Sequence, residues 1–209
     1  KVKGNYCRSM VDSMYYLLRC YLFEKEEGNE HPKWLEAVIK FCDKLVEIQN
    51  EDGSCNRGYS MEGAPLTNPP QWFGASKKEQ GSGAIFPAQI LTALYSLTKS
   101  EKYLKSAERA AYFVYGNYAS QVEYIGGLND TTHKKSVKID AVGVMFAMRT
   151  MLVVYEQTKD EKLLTGARDA ARILASWTYL WDIPFDKNTL LGKHGFKTTG
   201  WAVCDVIPA

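Results

Sequence analysis

A chain of 209 residues, 45% hydrophobic and 24% charged, is long enough for one domain with a sizeable buried core. Its 26 basic and 24 acidic side chains are spread along the sequence and leave a formal charge of +2, so no footprint for nucleic acid or an anionic membrane surface is present. No uncharged apolar run is long enough for a membrane span.

From Cys7 to Glu26 apolar residues recur at helical spacing (Met10, Met14, Leu17, Leu18, Tyr21, Leu22), which predicts a helix with one apolar face. A break at Gly28-Asn29-Glu30 leads to Pro32, suited to a first helical turn, and to a second helix from Trp34 to about Gln49 with Leu35, Val38, Phe41, Leu45 and Ile48 on one stripe. His31 falls in this turn and is expected at the surface. A second helical pair is predicted from about Ile85 to Leu97 and from Glu101 to about Tyr118, joined at Thr98-Lys99-Ser100. A third runs from about Asp140 to Gln157 and from Glu161 to about Tyr179, joined at Thr158-Lys159-Asp160. No strand-period run is long enough to build a sheet, so the fold class is all-α: repeated antiparallel helical hairpins.

The second helix of each pair carries the same signature. Pro32-Lys33-Trp34-Leu35-Glu36-Ala37-Val38, Glu101-Lys102-Tyr103-Leu104-Lys105-Ser106-Ala107 and Glu161-Lys162-Leu163-Leu164-Thr165-Gly166-Ala167 align at Leu35, Leu104 and Leu164, which lie 69 and then 60 residues apart. Val38, Ala107 and Ala167 also correspond, as do Phe41, Ala110 and Ala170, and then Cys42, Ala111 and Ala171. Such self-similarity marks a repeated supersecondary unit. Residues 1–209 therefore read as a single domain of three hairpins, at about 7–50, 84–118 and 140–180. Starting at Lys1 rather than Met, and ending without a terminal helix, the chain reads as a segment of a longer polypeptide.

Five cysteines (Cys7, Cys20, Cys42, Cys55, Cys204) are widely spaced with no C-x-x-C pair; their odd number and the apolar helix faces under three of them predict buried free thiols. No metal-ligand spacing, phosphate-cradling glycine loop or nucleophile elbow is present, and no cofactor is expected.

Connection lengths alternate. Short turns join helices within a hairpin, while long connections at about 51–83, 119–138 and 181–199 join or follow the hairpins. In an up-and-down array that puts the long loops at one end, which is then the expected working face. Their composition agrees: Arg57, Tyr59, Glu62, Trp72, Glu79 and Gln80 lie in the first, Asn129, Asp130 and His133 in the second, and His194 and Trp201 in and just after the third. Aromatic planes mixed with carboxylates, amides and cations suit a carbohydrate, whose ring faces stack and whose hydroxyls need paired donors and acceptors. The competing reading is that these aromatics anchor the loops to the helix ends.

The E-K-Y-L-x-x-A-x-x-A-A pattern and the Gln49-Asn50-Glu51-Asp52-Gly53-Ser54 string resemble the six-hairpin (α/α) toroid superfamily of unsaturated glucuronyl hydrolases, β-L-arabinofuranosidases and N-acylglucosamine 2-epimerases. That resemblance implies a partial toroid of three hairpins, with the first helix of each hairpin on the inner side. It also implies a glycoside hydrolase acting on a plant or bacterial polysaccharide fragment, a periplasmic or secreted location, and further domains of the same polypeptide as possible partners. A sugar epimerase or polysaccharide lyase on the same scaffold and a non-catalytic glycan-binding or scaffolding module are the alternatives. Glycoside hydrolysis needs two carboxyl groups, about 5 Å apart for retention and about 6.5–9.5 Å for inversion.

Asp140, Asp130 and Glu62 are the candidate acids. Asp140 opens a helix after a long loop, where a helix N-cap is the other role for the same residue. Trp72 and Tyr59 are the candidate stacking platforms, with Arg57, Glu79, Gln80, Asn129, His133, His194 and Trp201 as further substrate contacts. The two loop histidines would serve an epimerase as acid and base. Asp52-Gly53 reads as a turn rather than a site.

Overall fold

The computed structural model describes residues 3–124 and 139–202. Six long helices form three antiparallel hairpins: α1 (Cys7–Glu26) with α2 (Pro32–Ile48), α3 (Pro87–Thr98) with α4 (Glu101–Asn117), and α5 (Ala141–Thr158) with α6 (Glu161–Ser176). The only sheet among the described residues is a two-stranded antiparallel ribbon, β1 (Gly4–Tyr6) against β2 (Gly58–Ser60), with Asn5 opposite Tyr59. The protein is all-α, as its periodicity predicts.

The hairpins stack into two rows. α1 packs on α3 and α3 on α5, while α2 packs on α4 and α4 on α6. The middle helix of the first row also touches α2 and α4, which is why Ile90, Leu91, Leu94, Ala88 and Thr92 are all buried on it; a helix with neighbours on most sides needs apolar residues on most sides. In the second row the repeat signature supplies small residues at the contacts. Ala107, Ala110 and Ala111 of α4 and Ala167 and Ala170 of α6 are buried, and a Cβ at Gly166 would sit 2.6 Å from the Met151 sulfur and 2.8 Å from the Tyr115 ring.

Each short turn is locally self-sufficient. Thr98 Oγ1 donates to Leu94 O at 2.8 Å and accepts from Ser100 N, while Lys99 takes a left-handed conformation at φ 57°. Thr158, Lys159 and Asp160 repeat this arrangement, with Oγ1 to Val154 O at 3.0 Å and φ 60° at Lys159.

Two expectations need correction. The first long connection is not a structureless loop: it contains β2, helical turns at Pro70–Phe73 and Lys77–Gln80, and a 3-10 turn at Gly83–Ile85, and its residues 53–59 are all buried. Close backbone approach makes this possible. A Cβ at Gly53 would lie 2.3 Å from Arg109 O and one at Gly83 would lie 2.4 Å from Asn56 O. The buried polar groups are satisfied, since Gln49 Nε2 donates to Gly53 O and Ser106 O while its Oε1 accepts from Ser106 Oγ. Gln49 thereby ties α2 to α4, and Asp52 Oδ1 accepts from Ser54 N and Oγ in the predicted turn.

The second correction concerns the thiols. Cys7, Cys42 and Cys55 are free and buried, but Cys20 is exposed because the face of α1 that carries it, with Tyr16 and Phe23, has no neighbouring helix among the described residues. Burial pushes the Cys42 and Cys55 thiols up to about 12, which leaves them as packing groups rather than nucleophiles. Cys204 lies outside the described residues.

Candidate functional site

The first long segment meets the described start of the second, residues 119–124, at one end of the array. Cys7 N at the start of α1 donates to Arg57 O at 2.7 Å, Thr150 Oγ1 of α5 donates to Ile85 O at 2.7 Å, and the Tyr118 hydroxyl donates to Lys78 O at 2.9 Å. Lys78 Nζ bridges to Gln121 Oε1 at 2.7 Å and Glu123 Oε2 at 2.6 Å, joining the start of the second segment to the first. Residues 119–121 pack against α6.

Within this end the candidate residues are not gathered as a single constellation. Tyr59 is 2% exposed, with its hydroxyl accepting from Asn56 N, so it is a core side chain and offers no ring face to a sugar. Burial raises its phenol far above the ordinary value. Arg57 is 7% exposed and turned inward, Nε donating to Ser82 Oγ at 2.7 Å. A strand of only three residues, Gly58–Ser60, is too short to show as a period in the sequence.

Glu79 completes a capping box with Ser76. Gln80 Nε2 donates to Gly74 O at 3.2 Å, so both polar side chains hold their own segment in shape. Trp72 is 42% exposed on the Pro70–Phe73 turn.

The carboxylates have separate surroundings. Asp140 is 2% exposed and caps α5, accepting from Val142 N at 3.2 Å and Gly143 N at 2.9 Å. Glu62 is exposed on a tight turn, where it accepts from Ser60 Oγ; that bond holds its carboxyl below the ordinary range. The adjoining Gly63 lies against Lys44 and Ile48 of α2 in the second row, whereas Asp140 belongs to the first row, so the two acids serve different faces. Asn129, Asp130 and His133 lie outside the described residues.

The third segment folds back on itself. Tyr179 N donates to Trp201 O, Ile183 N to Thr198 Oγ1, and Thr199 N and Oγ1 to Asp182 Oδ1. His194 is exposed after the helical turn Leu190–Lys193, and Trp201 is exposed beside Phe196. A groove of about 300 Å³ here is lined only by the consecutive residues 175–181, with no convergent polar groups.

A second polar cluster, absent from the sequence expectations, lies on the first row near the loop end. Arg8 of α1 stands over the Phe146 ring of α5 with its guanidinium carbon 5.2 Å from the centroid, and that of Arg149 is 6.0 Å from the same centroid. Asp12 accepts from Arg8 Nε at 3.2 Å, and Gln89 of α3 accepts from Arg149 Nη1 at 3.0 Å. Phe86 packs edge-on beneath Phe146 at 4.9 Å. One signal could have found it: Arg149 is the sole charged side chain between Asp140 and Glu156 in an otherwise apolar helix.

No group of three or more His, Cys, Asp or Glu that could hold a metal exists among the described residues, and none of their helices is long and apolar enough to cross a membrane. Compared with models of protein families and with curated proteins, the sequence matches none.

Proposed function

We propose that this chain is a carbohydrate-active protein, a glycoside hydrolase built on part of an (α/α) toroid, which receives an oligosaccharide at the loop end of the array. The observation that carries this reading is the meeting of the first long segment with residues 119–124, which reach the start of α5 through Asp140 N donating to Tyr124 O, together with the partly exposed Trp72 of the first segment. Stacking against such an aromatic side chain supplies affinity for a sugar ring without fixing the linkage.

A second reading rests on a specific observation. Asp140 is engaged as a helix cap and Glu62 faces outward on the α2 side, an arrangement that favours a glycan-binding module without turnover. Reducing-end release and calorimetric binding, measured across a panel of polysaccharide-derived oligosaccharides, separate the two. Hydrolysis abolished by Asp130→Asn identifies the hydrolase; binding without release, unchanged in Asp130→Asn and Asp140→Asn and weakened in Trp72→Ala, identifies the module. Neither binding nor release across the panel removes the carbohydrate reading altogether.

A further inference from the structure

We propose that Arg8, Arg149 and Gln89, arranged around the Phe146 ring, form a binding site for the oxyanion group of a small ligand. The proposal does not depend on the glycan reading. Its starting point is a local conflict. Arg8 occupies the first turn of α1, where exposed backbone N–H groups favour a negative charge, and no acidic side chain in that turn offsets it. A second guanidinium then converges on the same aromatic ring from α5, so two cations share one quadrupole.

One carboxylate faces the two guanidinium groups, so the cluster keeps a net positive charge. Asp12 engages only Nε of Arg8, and the partner of Arg149 is the neutral amide of Gln89 through Nη1. Among the described residues this leaves both terminal nitrogens of Arg8, and Nε and Nη2 of Arg149, without a hydrogen-bond acceptor. A planar guanidinium presents such nitrogens as a fork that matches carboxylate, sulfate or phosphate oxygens. The floor is apolar and rigid, since Phe146 is 7% exposed and rests on buried Phe86. Met145 and Leu152 lie exposed one helical turn to either side of Arg149 and would border the site with apolar surface.

Conflict between local preference and observed placement is most often found where a function overrides it. Here the missing partner is an anion. The ligand chemistry is thus an oxyanion, free or carried on a sugar.

Isothermal titration at low ionic strength with sodium sulfate, a galacturonate trisaccharide and a neutral trisaccharide tests this. Saturable binding of sulfate or of the acidic trisaccharide is expected, weakened about tenfold in Arg8→Gln and in Arg149→Gln, the scale of one lost charge-assisted bond. Retained thermal transitions in both variants show that the loss is not unfolding. Sulfate binding identifies a free anion as sufficient, while binding of the acidic trisaccharide alone identifies a sugar-borne group. The proposal is overturned if neither anion binds at millimolar concentration, or if both arginine variants bind as tightly as the parent. Equal binding of the neutral and acidic trisaccharides, unaffected by either variant, would overturn it while leaving the glycan reading intact.

Discussion

The two ends of the helical array are built on different principles. At the turn end, Thr98-Lys99-Ser100 and Thr158-Lys159-Asp160 fold almost identically: a threonine hydroxyl returns to the preceding helix, a left-handed lysine reverses the chain, and the next residue begins the following helix. Even the lysine ammonium groups sit over equivalent rings, 5.9 Å from Tyr95 and 5.5 Å from Tyr155. At the loop end the first connection is held by contacts to residues 50 or more positions away, such as Gln49 with Ser106 and Arg57 with Cys7. Local sequence suffices for a turn of three residues; a connection that crosses helices takes its shape from what it crosses.

Two glycines turn this contrast into a measurement. Gly28 at the turn end and Gly53 at the loop end have nearly the same φ, 87° and 86°, yet a Cβ on Gly28 would meet nothing within 4 Å while one on Gly53 would meet Arg109 O at 2.3 Å. Gly53→Ala is expected to destabilise by roughly 3 kcal/mol or more, strain and overpacking together, and Gly28→Ala by about 1 kcal/mol from strain alone. Urea denaturation of the two variants gives the difference directly; equal losses would abolish the distinction between the ends.

Next in size is Ser106→Ala, which leaves the buried Gln49 amide short of a donor and should cost about 1–3 kcal/mol. Asp140→Ala removes the cap of α5 and is expected to cost about 0.5–2 kcal/mol, with Asp140→Asn recovering most of it. Should Asp140→Asn abolish glycan turnover with its stability intact, the carboxylate would have a chemical role beyond capping.

Acid should act on contacts between neighbouring second-row helices. Burial raises the Asp43 carboxyl, but bonds from Lys102 and the Tyr103 hydroxyl outweigh it and hold the net value below the ordinary one. Asp160 is likewise lowered, first by the Tyr112 hydroxyl and then by Lys162 N. A depressed carboxylate contributes stability that is complete above its unfolded pKa, about 3.9, and is lost as pH falls through its folded value. Melting temperature should therefore drop below about pH 4, with a shallower drop in a Tyr103→Phe, Tyr112→Phe double variant. The smallest effect belongs to Lys159→Gly, where relief of the left-handed strain should exceed the added chain entropy by about 0.5 kcal/mol.

What was legible before the structure follows the same division. The helix of Cys7–Glu26, the proline-led start at Pro32 and the cap at Asp140 are encoded within one or two turns of chain, and each stands where periodicity and capping chemistry put it. The candidate site was less legible. Arg57 and Tyr59 look like exposed loop residues by composition and are interior ones by position, because Gly53 lets that segment settle against α4 while Gly58 and Gly83 let it fold closely on Phe73 and on Asn56. Arg8 and Arg149 lie 141 positions apart and meet only after the hairpins stack.

Cys42, Ala111 and Ala171 occupy the same place in the three copies of the repeat, and the sequence alone determined that each stands on a helix at that phase. Only tertiary structure decided their surroundings: Cys42 and Ala111 are fully buried, while Ala171 is exposed on α6, the last helix of the second row among the described residues. Periodicity is a property of one helix and its dihedral angles, whereas burial is a property of the neighbour, and a repeat specifies its own face without specifying whether another unit will cover it.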